Sequence, residues 1–260
     1  MIDLPAHILP GLDDGPSDID GAVALARASV ADSTRVLAAT SHVDSTFGLS
    51  PAELTHARAA VAESLATKEI ALKLVQGGEV SPGRLPDLSD DDLRALTLGD
   101  GPWILLECPF SPVASTMDLV VTDLQRLGFR VLLAHPERSP SFQREPARLA
   151  RLIERGARAQ VTAGSLAGDF GAGVRRSALR LLEAGLVHSL ASDAHDHRHR
   201  PPLLSTAVTV LQQRFGDVAA HVEWMTERLP AAILAGDRLP QRPPLPRRRR
   251  LHRLRPRLRA

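Results

Sequence analysis

The sequence predicts an α/β fold with a mainly parallel sheet. Three observations carry that expectation. Short apolar runs alternate with stretches of helical periodicity along most of the chain. Glycines 128, 156 and 185 stand just past three of those helical stretches, where a left-handed residue is wanted. A histidine or carboxylate follows most of the apolar runs, the position where parallel βα folds gather their chemistry. Alternation alone is compatible with an open doubly wound sheet and with a closed barrel. No G-x-G-x-x-G follows a strand and no G-x-x-x-x-G-K-[ST] occurs, so neither nucleotide fingerprint supports the open form.

Taken in order, residues 35–39, 71–75, 103–106, 130–134, 157–161 and 187–191 read as buried strands, being short, apolar and bounded by turn residues. Residues 19–31, 51–66, 117–127, 147–155, 175–184, 203–214 and 217–227 read as helices. The second helix carries the clearest start signal. Ser50 can cap its free amides, Pro51 suits the first turn, and Glu53 completes a capping box.

Charge divides the 260 residues unequally. The total is 32 basic and 30 acidic residues, or +2. Residues 238–260 hold ten arginines and no acid, so residues 1–237 are acidic, with 22 basic against 30 acidic residues. The chain as a whole is therefore not a basic nucleic-acid binder, and no specific nucleic-acid partner is expected. A hydrophobic content of 43% supports a core, and a single cysteine excludes a disulfide scaffold or a thiolate zinc cluster. Met1-Ile2-Asp3 lacks the basic start of an export signal, and no apolar run approaches ~18 residues, so the cytoplasm is the expected location. We expect one domain over 1–237 and a disordered Arg/Pro-rich tail over 238–260. Pro240, Pro243, Pro244, Pro246 and Pro256 argue against a helix there, and the arginines suit an anionic surface.

The chemistry lies at the ends of the apolar runs. His7 and Asp14 come near the N-terminus, His42 after the run 35–39, and Glu79 after 71–75. Glu107 and His135 end the next two runs, and Asp193 and His195 follow 187–191. If strand ends share one face, these eight side chains converge. Imidazole and carboxylate without thiolate suit Mn²⁺, Fe²⁺ or Zn²⁺. That many carboxylates in one cleft would force several to protonate unless two or three divalent ions were present. The remaining histidines carry no such pattern. His56 and His221 sit in helical stretches and read as surface residues, His197, His199 and His252 lie in polar stretches, and His188 reads as packed. Cys108 lacks a Cys-x₅-Arg phosphate loop, since Ala114 stands at the arginine position, and reads as buried and inert. No Gly-x-Ser-x-Gly elbow occurs.

Together, Asp3-x-x-x-His7-Ile-Leu-Pro-Gly-Leu-Asp-Asp-Gly-Pro, Thr40-Ser-His42, Gly78-Glu79, Leu106-Glu107, Ala134-His-Pro-Glu-Arg138 and Ala191-Ser-Asp-Ala-His195 resemble one family. It is the PHP-type (polymerase and histidinol phosphatase) bacterial protein tyrosine phosphatases, the CpsB/YwqE enzymes of capsular and exopolysaccharide systems. The match runs in order from Met1 to about Gly236 and excludes the tail. The resemblance implies a distorted βα barrel and a trinuclear site, usually of manganese. It implies that His7, Glu79 and Asp193 serve one ion, that Glu79 bridges to a second held with Glu107 and His135, and that Asp14, His42 and His195 hold a third. Arg138 and Arg200 match the phosphate-gripping arginines. The implied partner is a phosphotyrosine protein, a tyrosine kinase of polysaccharide export. One position departs: the family begins Asp-x-His-x-His, and here the first of those histidines is Pro5, which cannot ligate. Two alternatives therefore stay open, a PHP hydrolase of small phosphate esters such as histidinol phosphate, and an impaired relative acting as a binding module.

Overall fold

A computed structural model describes residues 1–111 and 116–246. Among the described residues there are nine short strands: β1 Ile2–Ala6, β2 Val36–Ala39, β3 His42–Val43, β4 Lys73–Val75, β5 Glu79–Val80, β6 Trp103–Glu107, β7 Arg130–Ala134, β8 Arg158–Thr162 and β9 Ser189–Ala191. The helices are α1 Ile19–Ala31, α2 Pro51–Thr67, α3 Asp90–Ala95, α4 Met117–Arg126, α5 Pro140–Arg144, α6 Pro146–Glu154, α7 Ala163–Ala167, α8 Gly171–Glu183, α9 Leu204–Phe215, α10 Ala219–Glu223 and α11 Leu229–Ala235. A π-helical turn, Trp224–Arg228, joins the last two. The Ser50–Glu53 capping box is formed, and Gly128, Gly156 and Gly185 adopt positive φ as expected.

All strand pairings are parallel, in the orders β1-β2-β4 and β3-β5-β6-β7-β8-β9. The two sheets are linked through the chain at 40–41 and 76–78, and they touch again at a single parallel bridge, Ala6 to Ala194. The expected α/β fold is present. Its strands form two parallel sheets that meet at these chain links and at the Ala6–Ala194 bridge. The Gly77-Gly78 step in the second link is enforced by close approach: a Cβ on Gly77 would lie 2.7 Å from Thr40 Cγ2, and one on Gly78 2.7 Å from Leu96 Cδ2. Strand residues Ile104, Leu105, Leu106, Val131, Leu132 and Leu133 are fully buried, as parallel strands covered on both faces require.

Strand β1 escapes a periodicity reading because Pro5 interrupts it. The register passes from Asp3 opposite Leu37 to Ala6 opposite Ala39, so β1 holds one extra residue there. At such a bulge the absent proline N–H leaves no ladder bond unmade. Strands β3 and β5 have two residues each, too short for any periodic signal.

The tail begins later than expected. Leu239 and Leu245 pack against the core, and Trp224 Nε1 donates to the Pro240 carbonyl at 3.0 Å. Arg242 donates to the carbonyls of Gly185 and Val187, the latter at 2.7 Å, and its guanidinium lies 4.9 Å from the Trp224 ring centre. Residues 238–246 are thus docked on the body. Proline and arginine exclude a helix there, but not a strap with exposed carbonyls and an indole face to bind. This strap also corrects the reading of His221, which is buried against Trp224 with Nδ1 donating to the Pro243 carbonyl at 3.1 Å. The rest of the tail, with His252, lies outside the described residues.

Candidate metal centre

The candidate side chains stand just past the C-terminal ends of strands or, for His42 and Glu79, at the start of the short strands that continue the chain beyond β2 and β4. His7 follows β1, and Asp13 and Asp14 lie on the loop after it. His42 and Glu79 open β3 and β5 and are register partners. Glu107 ends β6, His135 follows β7, and Asp193 and His195 follow β9. Parallel pairing turns all these ends toward one side, which explains how residues far apart in sequence meet. His135 and Asp193 hold φ of 35° and 53°, a left-handed conformation that non-glycine residues rarely adopt.

Among the described residues there are three groups whose donor atoms lie within 4.8 Å of one another. The first is His7, Asp14, His42 and His195; the second His7, Glu79 and Asp193; the third His42, Glu79 and Glu107. Glu79 joins the groups: Oε2 lies 3.1 Å from His7 Nε2, and Oε1 lies 2.8 Å from His135 Nε2. His195 Nε2 lies 3.1 Å from Asp14 Oδ1, and His42 Nε2 lies 3.6 Å from the same oxygen. The second group has the composition implied by the resemblance. In the first group His7 joins Asp14, His42 and His195, and in the third His42 joins Glu79 and Glu107, which also feels the charge of nearby His135.

The electrostatics are those of a crowded acidic cleft. Burial and the neighbouring Glu79 charge push the Glu107 carboxyl up to about 7. Burial also opposes ionisation of Glu79, but His135 and His7 outweigh it and hold that carboxyl well below its ordinary range. For His7, burial lowers basicity, while Asp13, Asp193 and Glu79 overcome it and raise the imidazole well above normal. The arginines converge on one oxygen: Arg138 Nη1 and Arg200 Nη2 both donate to Asp193 Oδ2 at 2.8 Å. Two guanidinium groups thus face five carboxylates, Asp13, Asp14, Glu79, Glu107 and Asp193.

The residues fit divalent cations. His42 Nδ1 and His135 Nδ1 are buried without a hydrogen-bond partner. An orphaned buried nitrogen costs about 1–3 kcal/mol. Oxygen and imidazole donors at these separations suit Mn²⁺, Fe²⁺ or Zn²⁺.

Several functional side chains escape a reading of the sequence. Asp13 accepts from His7 Nδ1 at 2.7 Å and from the His42 backbone N–H at 3.0 Å, orienting both. Adjacent acids in a loop look alike in sequence, and only their directions separate Asp13 from Asp14. Asp3 accepts from the Ser192 N–H at 2.8 Å and braces the turn carrying Asp193; burial raises its carboxyl to about 7 despite the Ser192 bonds. Pro5 is buried in β1 and offers its carbonyl to the Asp193 N–H at 3.2 Å. Cys108 is fully buried and burial pushes its thiol well above normal, and His188 is packed near Trp224, as expected of both.

Similarity to known proteins shows the family. The profile of the family described as "Capsular polysaccharide synthesis, CpsB/CapC" matches residues 1–234. The tyrosine-protein phosphatase YwqE of Bacillus subtilis is 35% identical over 254 residues, covering 96% of this chain and 98% of the relative. The tyrosine-protein phosphatase CpsB of Streptococcus agalactiae is 27% identical, covering 85% of this chain and 93% of the relative. A crystal structure from work on YwqE of Bacillus subtilis and CpsB of Streptococcus pneumoniae, described as unique metal-dependent tyrosine phosphatases, superposes with a TM-score of 0.83 at 35% identity. It covers 96% of this chain and all of that one. The chain therefore belongs to the CpsB/CapC family of capsular polysaccharide synthesis.

Proposed function

We propose that this chain is a metal-dependent protein tyrosine phosphatase that dephosphorylates a tyrosine kinase of capsular or exopolysaccharide export in the cytoplasm, with Mn²⁺ as its natural ion. The observation that carries the reading is the meeting of the His, Asp and Glu donors with Arg138 and Arg200 at Asp193. His7, Glu79 and Asp193 would hold one ion, His7, Asp14, His42 and His195 another, and Glu79 and Glu107 with His42 or His135 a third.

Divalent ions bound there supply positive charge and lower the pKa of a water to make it a nucleophile near neutral pH. The protein does the rest. Asp13 holds the His7 proton on Nδ1, leaving Nε2 free to face the cluster. Arg138 and Arg200, paired with Asp193, would turn their planar forks to the non-bridging oxygens of the phosphoryl group. These donors would stabilise charge as the phosphorus–oxygen bond to the leaving group breaks. The departing tyrosinate is a weak enough base to need little general-acid help.

A second reading rests on Pro5, whose side chain offers no ligating atom where the family carries a histidine. It predicts reduced ion occupancy and a chain acting mainly as a binding module. One assay separates these readings and the small-ester alternative: phosphate release from a phosphotyrosine peptide and from histidinol phosphate, with Mn²⁺ and with chelator. Chelator-sensitive release from the peptide is expected. Release confined to the small ester would refute the tyrosine phosphatase reading, and release from neither would favour the binding module.

A further inference from the structure

The chain holds six phenylalanines and no tyrosine. Phe129, Phe142 and Phe215 are buried in the core. The three that are not fully buried, Phe47, Phe110 and Phe170, all stand at the donor cluster. Phe47 is 37% exposed and Phe110 48% exposed. Single apolar side chains scattered over a surface need no explanation, but rings gathered on one polar cleft do.

Their geometry is specific. Phe47 stacks on His42 with ring centres 5.9 Å apart and 6° between planes. Phe110 stacks on His135 at 5.4 Å and 15°. These histidines flank Glu79, His42 Nδ1 lying 3.9 Å from Oε2 and His135 Nε2 2.8 Å from Oε1. Each ring is therefore one imidazole away from the carboxylate that joins the donor groups. Phe110 and Phe170 also lie against the Arg138 guanidinium, at 4.8 and 4.4 Å from the ring centres. A phosphate on the arginines and donors would leave its ester group among these exposed rings.

We propose that Phe47 and Phe110 are the walls of an aryl subsite that grips the phenyl ring of phosphotyrosine and so selects aryl over alkyl phosphomonoesters. This rests on the phosphatase reading above. An aromatic ring between such walls gains offset-stacked or edge-to-face contact, and an alkyl ester does not. Phe170, on the far side of Arg138, is a positioning residue for the arginine.

The test uses two non-hydrolysable probes with the same anionic head, phenylphosphonate and methylphosphonate, binding to the full chain loaded with Mn²⁺. The native protein is expected to favour the phenyl probe by about tenfold. In Phe47→Ala and Phe110→Ala that preference should fall by about threefold each, and in the double variant nearly vanish. Phe47→Leu and Phe110→Leu, which keep apolar bulk without a ring face, should lose most of it too. An undiminished preference in the double variant, or none in the native protein, would overturn the proposal. Equal weakening of both probes in Phe110→Ala would assign Phe110 to arginine positioning and overturn its role as a wall. Phosphotyrosine turnover by the same preparations separates the two claims. Phenyl preference without turnover refutes the phosphatase reading alone, and turnover without phenyl preference refutes the subsite alone.

Discussion

His7 and Asp13 form a pair with no solvent access, the imidazole Nδ1–H donating to Asp13 Oδ2 at 2.7 Å. A carboxylate accepting at Nδ1 fixes the tautomer and aims Nε2 at Glu79 and Asp193. Partners of this kind tune ion affinity without touching the ion. Asp13→Asn should weaken Mn²⁺ binding by about 10–100-fold, measured by titration calorimetry. Unchanged affinity would show that packing alone orients His7.

The shared acceptor of the two arginines makes a second prediction. Arg138 and Arg200 bond the same oxygen of Asp193, and the rings of Phe110 and Phe170 lie against the Arg138 guanidinium. A lysine offers a point charge in place of a planar fork. Arg138→Lys should raise the inhibition constant of inorganic phosphate by about tenfold or more, with a parallel loss in phosphotyrosine turnover. Phosphate inhibition equal to the native protein's would remove Arg138 from the substrate grip.

Pro5 gives a prediction of gain. It stands two residues before His7 on the buried strand β1 and its carbonyl already braces Asp193. Pro5→His supplies an imidazole where the family has one. Bound metal per chain and phosphatase turnover should both rise, read by elemental analysis and peptide assay. Equal values in the two proteins would show that Pro5 costs the site nothing.

His188 governs a separate acid sensitivity. It is buried and accepts the Ala159 N–H at Nδ1 at 3.3 Å. Burial, with Arg242 and Arg158 nearby, pushes its pKa from 6.5 down to about 2. The folded protein keeps this ring neutral while the unfolded chain takes up a proton below about 6.5. Its contribution to stability is thus full above that pH. It falls by up to about 1.4 kcal/mol for each pH unit below it, down to about 2. His188→Asn should flatten this part of the stability profile, measured by urea denaturation between pH 7 and 4. Identical slopes would place the acid sensitivity elsewhere.

The order of strands and helices was legible because burial imposes periodicity on the chain. Runs such as 130–134 must be apolar on both faces, and α2 advertises its start through Ser50, Pro51 and Glu53. The eight donor-type residues were legible for a related reason, since each recurs at a strand end, and Arg138 and Arg200 through the family motifs. Three things were not. Strand β1 was hidden because a bulge, not a pattern, absorbs Pro5. The docked strap 238–246 and the buried His221 were hidden because composition reports whether a segment can build its own core, not whether it can lie on another.

The last is the division of labour within the site. The sequence by itself determined the residue types and their place at strand ends, because those follow from local spacing and chemistry. Only the tertiary structure decided that Asp13 orients His7 while Asp14 faces His195, and that His42 joins Glu79 and Glu107. It likewise decided that three of six phenylalanines stand on the cleft. Those outcomes depend on the direction in which each side chain leaves its loop. That direction is set by packing between strands and loops distant in sequence, which no local pattern records.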